Sequence, residues 1–219
     1  VIIPTLNAAD TLPSALAALE GARVGEILVV DGGSDDATRA VAAAAGAKVL
    51  TAPRGRGTQL AAGAAAAAGE WLLFVHADCR LDPEWTQAVA AFMTAASGSE
   101  RAGYFDLALD DPSPAARRLE RLVAWRCRWL ALPYGDQGLL IARTLYEAMG
   151  GFAPLPLMED VDIVRRLGRR RLRRLGVRCL ASARRYRHGG YWSRPLRNLV
   201  CLGLYFAGVA PRRIARLYG

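Results

Sequence analysis

Glu70-Trp71-Leu72-Leu73-Phe74-Val75-His76-Ala77-Asp78 is the run that decides how this chain folds. Gly69 precedes it, the apolar residues are continuous, and they stop at two polar residues separated by one small one. A short apolar run closed by turn residues reads as a strand buried on both faces. Open α/β sheets bind ligands beyond the carboxyl ends of such strands, so His76 and Asp78 are expected at a ligand site. Being two apart, their side chains leave an extended chain on the same side. A carboxylate placed there suits a divalent cation shared with substrate phosphates. A strand-end aspartate also serves to cap the next turn, and this run alone leaves both roles open.

Earlier in the chain the pattern repeats. Val1-Ile2-Ile3-Pro4-Thr5-Leu6-Asn7 is a β-branched strand entering a loop. Pro4 has no N–H for a ladder and is expected to take the chain out of the sheet. Leu12, Leu16 and Leu19 form one helical face behind a cap at Asp10 or Thr11. Glu26 to Asp31 is a second buried strand, followed by Gly32-Gly33-Ser34-Asp35. Two glycines let backbone approach a ligand, and Ser34 or Asp35 can cap a helix or bond a nucleoside. A tight turn is the plainer account. It is no dinucleotide fingerprint, because G-x-G-x-x-G is missing and the acid precedes the glycines.

Lys48-Val49-Leu50 makes a third strand, and Arg54-Gly55-Arg56-Gly57-Thr58-Gln59 leads into an alanine-rich helix. Arginines on a glycine loop at a helix start resemble an anion site, although exposed arginines are ordinary in so arginine-rich a chain. Asp82-Pro83-Glu84-Trp85 reads as a helix start with Asp82 as its cap. Strands alternating with helices predict an α/β fold around a largely parallel sheet.

The second half is less regular. Tyr104 to Leu109 alternates and is expected near the sheet edge. Ser113 to Leu130 reads as a helix whose arginines (117, 118, 121, 126 and 128) interleave with Leu119, Leu122 and Trp125. Such a face snorkels in water or meets a membrane or partner. Tyr134-Gly135-Asp136-Gln137 is a polar turn before a buried strand, and Met158-Glu159-Asp160 opens a helix. Tyr186 to Trp192 reads as a flexible aromatic loop, with two last helices flanking Pro211.

At 219 residues and 53% hydrophobic, the chain supports one folded domain over 1–219 and excludes global disorder. The net charge is +9 and Lys48 is the only lysine. Arginine suits bidentate phosphate contacts, and GC-rich coding produces the same enrichment. The four cysteines lack metal-ligand spacing and read as buried thiols of a reducing compartment. No secretory leader is visible. The apolar run Leu199 to Ala210 is shorter than the ~20 residues a bilayer requires. A cytoplasmic protein is expected, with contact at the inner membrane face left open.

Taken together, Val1-to-Asn7, Asp31-Gly32-Gly33-Ser34, His76-Ala77-Asp78, Gly135-Asp136-Gln137 and Glu159-Asp160 resemble, in order and spacing, family 2 glycosyltransferases of the GT-A fold. The Arg54–Gln59 loop, the Gly-Asp-Gln turn and Ala183-Arg184-Arg185-Tyr186 look closest to a bacterial subgroup associated with arsenosugar biosynthesis. The resemblance implies a nucleotide-binding half (1–110), an acceptor and catalytic half (111–190) and C-terminal helices (191–219). It implies transfer of a sugar from a nucleotide-diphosphate donor to a small-molecule or lipid acceptor, with Mg²⁺ or Mn²⁺ as cofactor and no nucleic acid as partner. By the same resemblance Pro4, Thr5 and Asn7 line the nucleoside pocket and Asp31, with Gly33, holds base or ribose. Arg54, Arg56, Gln59, His76, Ala77, Arg184 and Arg185 belong to the donor side. Asp78 takes the place of the second acid of the family's Asp-x-Asp and binds the metal, which His188 could join. Asp160 matches the catalytic base, and Gly135, Asp136, Gln137 and Glu159 border the acceptor. His76 stands where the family carries the first acid, and Ala61 where many relatives are polar.

Two other readings compete. A nucleotidyltransferase would want a glycine-rich phosphate loop with a lysine after the first strand, where Pro4-Thr5-Leu6-Asn7 stands. A basic membrane- or nucleic-acid-binding module would draw on Arg165 to Arg174 and the apolar C-terminal helix.

Overall fold

The strand at the heart of the sheet is shorter than its apolar run. In the computed structural model, which describes residues 1–95 and 98–218, β4 covers Trp71–Phe74 and the chain from Val75 to Asp78 continues past the sheet. Beside it lie β1 (Ile2–Thr5), β2 (Leu28–Asp31) and β3 (Lys48–Thr51), all parallel. Beyond it lie β7 (Leu139–Ala142), β6 (Ala102–Leu109), β8 (Leu172–Ala181) and β5 (Cys79–Leu81). The order is β3-β2-β1-β4-β7-β6-β8-β5. Four of these seven pairings are parallel among the described residues.

The helices are α1 (Leu12–Ala17), α2 (Thr38–Ala44), α3 (Arg56–Ala66), α4 (Trp85–Thr94), α5 (Pro114–Leu130), α6 (Arg143–Ala148), α7 (Glu159–Leu167), α8 (Arg184–Gly189), α9 (Ser193–Phe206) and α10 (Pro211–Tyr218). Alanines let α3 lie flat on β1 and β2. At Gly63 the approach is so close that a Cβ would stand 2.5 Å from Ile2 Cγ2. Only glycine fits there. Ser113 Oγ accepts Ala116 N–H at 3.2 Å and starts α5, whose inner stripe is Ala116, Leu119, Val123 and Cys127.

Four expectations are corrected. Pro4 stays in the sheet, paired with Val30 inside β1. Ile2 O accepts Val75 N–H on the β4 side, and Pro4, two residues on, faces that same side where the pairing has ended. Its missing donor therefore costs no ladder bond. β6 is interior, between β7 and β8, and buried along nearly its whole length. Asp82 is no helix cap: its carboxylate pairs with Arg178 at 2.8 Å, and α4 begins only at Trp85. The segment from Tyr186 is helical through Gly189, with Tyr186 stacked on Tyr191 at 5.6 Å.

Candidate active site

His76, Ala77 and Asp78 form the short link between β4 and β5. Cys79 N–H closes on His76 O at 3.1 Å, and Ser182 N–H holds Asp78 O at 3.0 Å. This turn, rather than strand alternation, gathers the side chains. Donor atoms of His76, Asp78 and Cys79 lie within 4.8 Å of one another. The bond with Cys179 and burial push the Cys79 thiol's pKa well up. A thiol is a soft ligand, whereas the His76 imidazole and the Asp78 carboxylate suit Mn²⁺ or Mg²⁺ when substrate phosphates complete the shell.

Across from this turn, Gly135–Gln137 makes one tight helical turn before β7. Gly135 N–H donates to Asp160 Oδ2 at 2.9 Å. A Cβ on Gly135 would stand 2.5 Å from His76 Nε2, so turn, imidazole and Asp160 are in direct apposition. Asp160 occupies the second position of α7, where helix N–H groups favour an acid. Asp78, His76, Asp136 and Asp160 together line a cavity of about 120 Å³. The Asp136 Oδ1 atom is buried without a partner. Burial pushes the Asp136 pKa up to about 6, Arg126 opposing and the Asp160 and Asp78 charges adding to the rise. Glu159 is fully buried with Arg56 Nε at 2.8 Å. Burial lifts its pKa to about 7 against the pull of Arg56.

A larger cleft of about 910 Å³ adjoins, sharing His76, Asp78 and Arg56 with the first. Pro4, Thr5, Asn7, Arg54, Gln59, Ala77 and Arg184 line it as well. Asn7 adopts a left-handed backbone (φ 49°) and accepts Asp35 N–H at 2.9 Å, fixing the β1 loop.

Three expected ligand residues turn inward instead. Asp31 is fully buried, does not line the cleft, and accepts from Ser34 N–H, Gly33 N–H and the Thr5 and Ser34 hydroxyls. Burial raises its pKa, but those hydrogen bonds outweigh it and leave the acid below its ordinary value. Gly33 is exposed and does not line the cleft, its N–H being given to Asp31 Oδ2 at 3.1 Å. Gln137 is buried against α5 and β6, donating to Phe105 O at 3.0 Å and accepting from Arg126 and Cys127. Gln59 touches the cleft but spends its amide on Thr5 O and Val30 O, at 2.7 and 2.8 Å. The side chains of Arg185 and His188 lie outside the described residues.

Arg194 and Asn198 went unforeseen. They sit one turn apart on α9 and line the cavity that holds Asp78 and Asp160, Arg194 reaching the larger cleft too. Their four-residue spacing within an apolar helix was the available signal. Ser182, Tyr134 and Tyr186 complete the walls.

A family model described as Glycosyl transferase family 2 matches residues 1–127. The chain belongs to that family. An uncharacterized glycosyltransferase of Mycobacterium tuberculosis and its counterpart in Mycobacterium bovis are 40% identical to it over 83 residues. That stretch is 37% of this chain and 37% of each relative's own length. Among solved structures, glucosyl-3-phosphoglycerate synthase from M. tuberculosis, in complex with Mn²⁺, UDP and glucosyl-3-phosphoglycerate, superposes with a TM-score of 0.64 at 22% identity, over 95% of this chain and 79% of that one. S. aureus TarS gives a TM-score of 0.66 at 17% identity, over 92% of this chain and 63% of that one. The fold is GT-A-like.

Proposed function

We propose that this chain transfers a sugar from a nucleoside diphosphate donor to a hydroxyl acceptor, with inversion at the anomeric carbon and a divalent cation as cofactor. The observation that carries the reading is the meeting of Asp78 and Asp160 in one cavity, with His76 between them and a long cleft leading in. That solved neighbours of the same fold hold UDP and Mn²⁺ supports it. Kinship with the arsenosugar-associated subgroup rests on the Arg54–Gln59 loop and the Gly-Asp-Gln turn.

Asp78 and His76 would hold the cation, which when bound neutralises charge developing on the diphosphate. Asp160 accepts the acceptor hydroxyl's proton as its oxygen bonds to the anomeric carbon. The bond from that carbon to the diphosphate oxygen breaks, and its electron pair leaves with the nucleoside diphosphate. A single displacement of this kind inverts configuration. Gly135 N–H fixes the Asp160 carboxylate in place, while Arg56, Arg54 and Arg184 face the cleft as diphosphate contacts. Pro4, Thr5 and Asn7 form the nucleoside wall.

Calorimetric titration of UDP, GDP and dTDP, with Mn²⁺ and then with EDTA, tests the donor half. The expected result is binding of one nucleotide roughly tenfold tighter with Mn²⁺, with that gain lost in Asp78→Ala. Equal affinity under both conditions removes the cation from the reading. For the base, Asp160→Asn should cut turnover by about 10²–10⁴ while leaving nucleotide affinity intact; near-normal turnover refutes the assignment.

A further inference from the structure

Two helices carry apolar side chains that the fold leaves in water. On α5, Leu122, Trp125 and Trp129 are each more than half exposed, away from the stripe that packs inward, and so is Leu130 at the helix's last residue. On α9, Leu196, Leu199 and Val200 are as exposed, and Trp192 at the helix start is 74% exposed. The other face of α9 turns Arg194 and Asn198 into the cavity. Monomeric surfaces rarely leave so much apolar area uncovered without a partner.

Arginines from the end of α7 reach each of the two helices. Arg169 Nη1 donates to Trp129 O at 3.3 Å, and the Arg165 guanidinium stands 4.7 Å from the Phe206 ring centre. Both belong to the exposed basic run at the end of α7, which Arg170 and Arg171 continue. Tryptophan and leucine rimmed by arginine is the make-up of a surface that lies in the headgroup region of a bilayer.

We infer that this face docks on an anionic lipid bilayer, with α5 and α9 against the headgroup–acyl boundary and the Arg165–Arg171 run on lipid phosphates. Charge complementarity selects that occupant. A second copy of a chain with net charge +9 would set like charge against these arginines. A nucleic acid would satisfy the arginines but leave the leucines in water. Among the described residues no helix is long and apolar enough to cross a membrane, so attachment is peripheral. It is independent of the transfer chemistry, and it holds the cavity-facing side of α9 just above the lipid.

Flotation of the full chain with vesicles tests this, one set of phosphatidylcholine alone and one mixed with phosphatidylglycerol. The chain should float with the mixed vesicles, scarcely with the neutral ones, and its tryptophan emission should shift to the blue. Each arginine at the surface is worth roughly five-fold in partition at low ionic strength, so the binding should fall steeply with salt. Trp125→Ser with Trp129→Ser, and separately Leu196→Ser with Leu199→Ser, should each weaken partition at least roughly tenfold. These side chains are exposed, so melting curves should match the parent's. The inference is overturned if the chain ignores mixed vesicles or if the serine variants float as well as the parent. It is equally overturned if ultracentrifugation shows self-association that the serine variants abolish, since a second copy then covers the face.

Discussion

Gly135 has no side chain because His76 occupies the space one would need. A Cβ there would lie 2.5 Å from His76 Nε2 and 3.6 Å from Asp160 Oδ2. Overpacking at such a point moves the neighbours, at a cost of about 1–3 kcal/mol. Gly135→Ala should therefore displace the imidazole from Asp78 and disturb the N–H that holds Asp160. Mn²⁺-dependent nucleotide affinity should drop roughly tenfold, since 1.4 kcal/mol corresponds to one decade, and turnover should fall further. Titration calorimetry beside a thermal melt checks it; unchanged affinity would mean that His76 takes no part in holding the cation. Asp78 and Asp160 were singled out as a pair by the family resemblance, since a carboxylate ending an apolar run also braces turns, as Asp31 does, and an acid opening a helix is ordinary. The roles of Asp31, Gln59 and Gln137 were not legible. Each turns inward to satisfy a backbone group: Ser34 N–H in the loop after β2, Thr5 O at the end of β1, and Phe105 O at the register shift of β6. Sequence supplies the polar atom and does not say which way it turns.

Among the helices, α9 shows most clearly what a pattern withholds. Its apolar positions are spaced for one helical face, the usual mark of a core stripe. Here that face lies in water, and the polar pair Arg194 and Asn198 points inward. Tyr205 reaches Asp162 at 3.3 Å and Arg165 stacks over its ring at 5.6 Å, tying the helix to α7 and setting its rotation. Both contacts join residues about forty positions apart, so no local window contains them. Arg194 lines both the smaller cavity and the larger cleft, which under the proposed function suits a cation that meets a diphosphate or an anionic acceptor. Arg194→Ala should raise the donor or acceptor KM roughly tenfold, a charge-assisted hydrogen bond being worth about 1.5–3 kcal/mol. Its melting temperature should stay near the parent's because the side chain is half-exposed. Steady-state kinetics with each substrate varied in turn would show which one it holds; unaltered KM for both would place Arg194 outside recognition.

The parallel half of the sheet followed from alternating strands and helices, because each β-α step there is local. The other half depends on long-range pairing. β5 is three residues long and follows directly on the His76–Asp78 turn, while β6 and β8 meet across some seventy residues, Arg174 clasping Asp106 at 2.5 Å. The run read only as basic surface in part supplies a strand. Closing the sheet this way buries Asp136 and Glu159 beside Asp160, and that burial has a consequence for overall stability. In the unfolded chain both acids ionise near pH 4. In the fold they keep their protons up to about pH 6 and about pH 7. Between those limits the native state binds more protons than the unfolded one, so stability falls as pH rises. The contribution is fully present below pH ~4 and gone above pH ~7, an effect on the order of 3 kcal/mol for each acid. Asp31, Asp36 and Asp111 act in the opposite sense, their lowered pKa values making the fold lose stability as pH drops through the acid range. By these groups the protein kept in EDTA should therefore be most stable at about pH 4, between the two declines. Glu159→Gln should flatten the decline toward pH ~8, because a neutral amide carries no proton to lose. Chemical denaturation at a series of pH values measures both slopes. A variant whose decline runs parallel to the parent's would show that Glu159 is already ionised in the native state at pH ~5, with Arg56 alone compensating its burial.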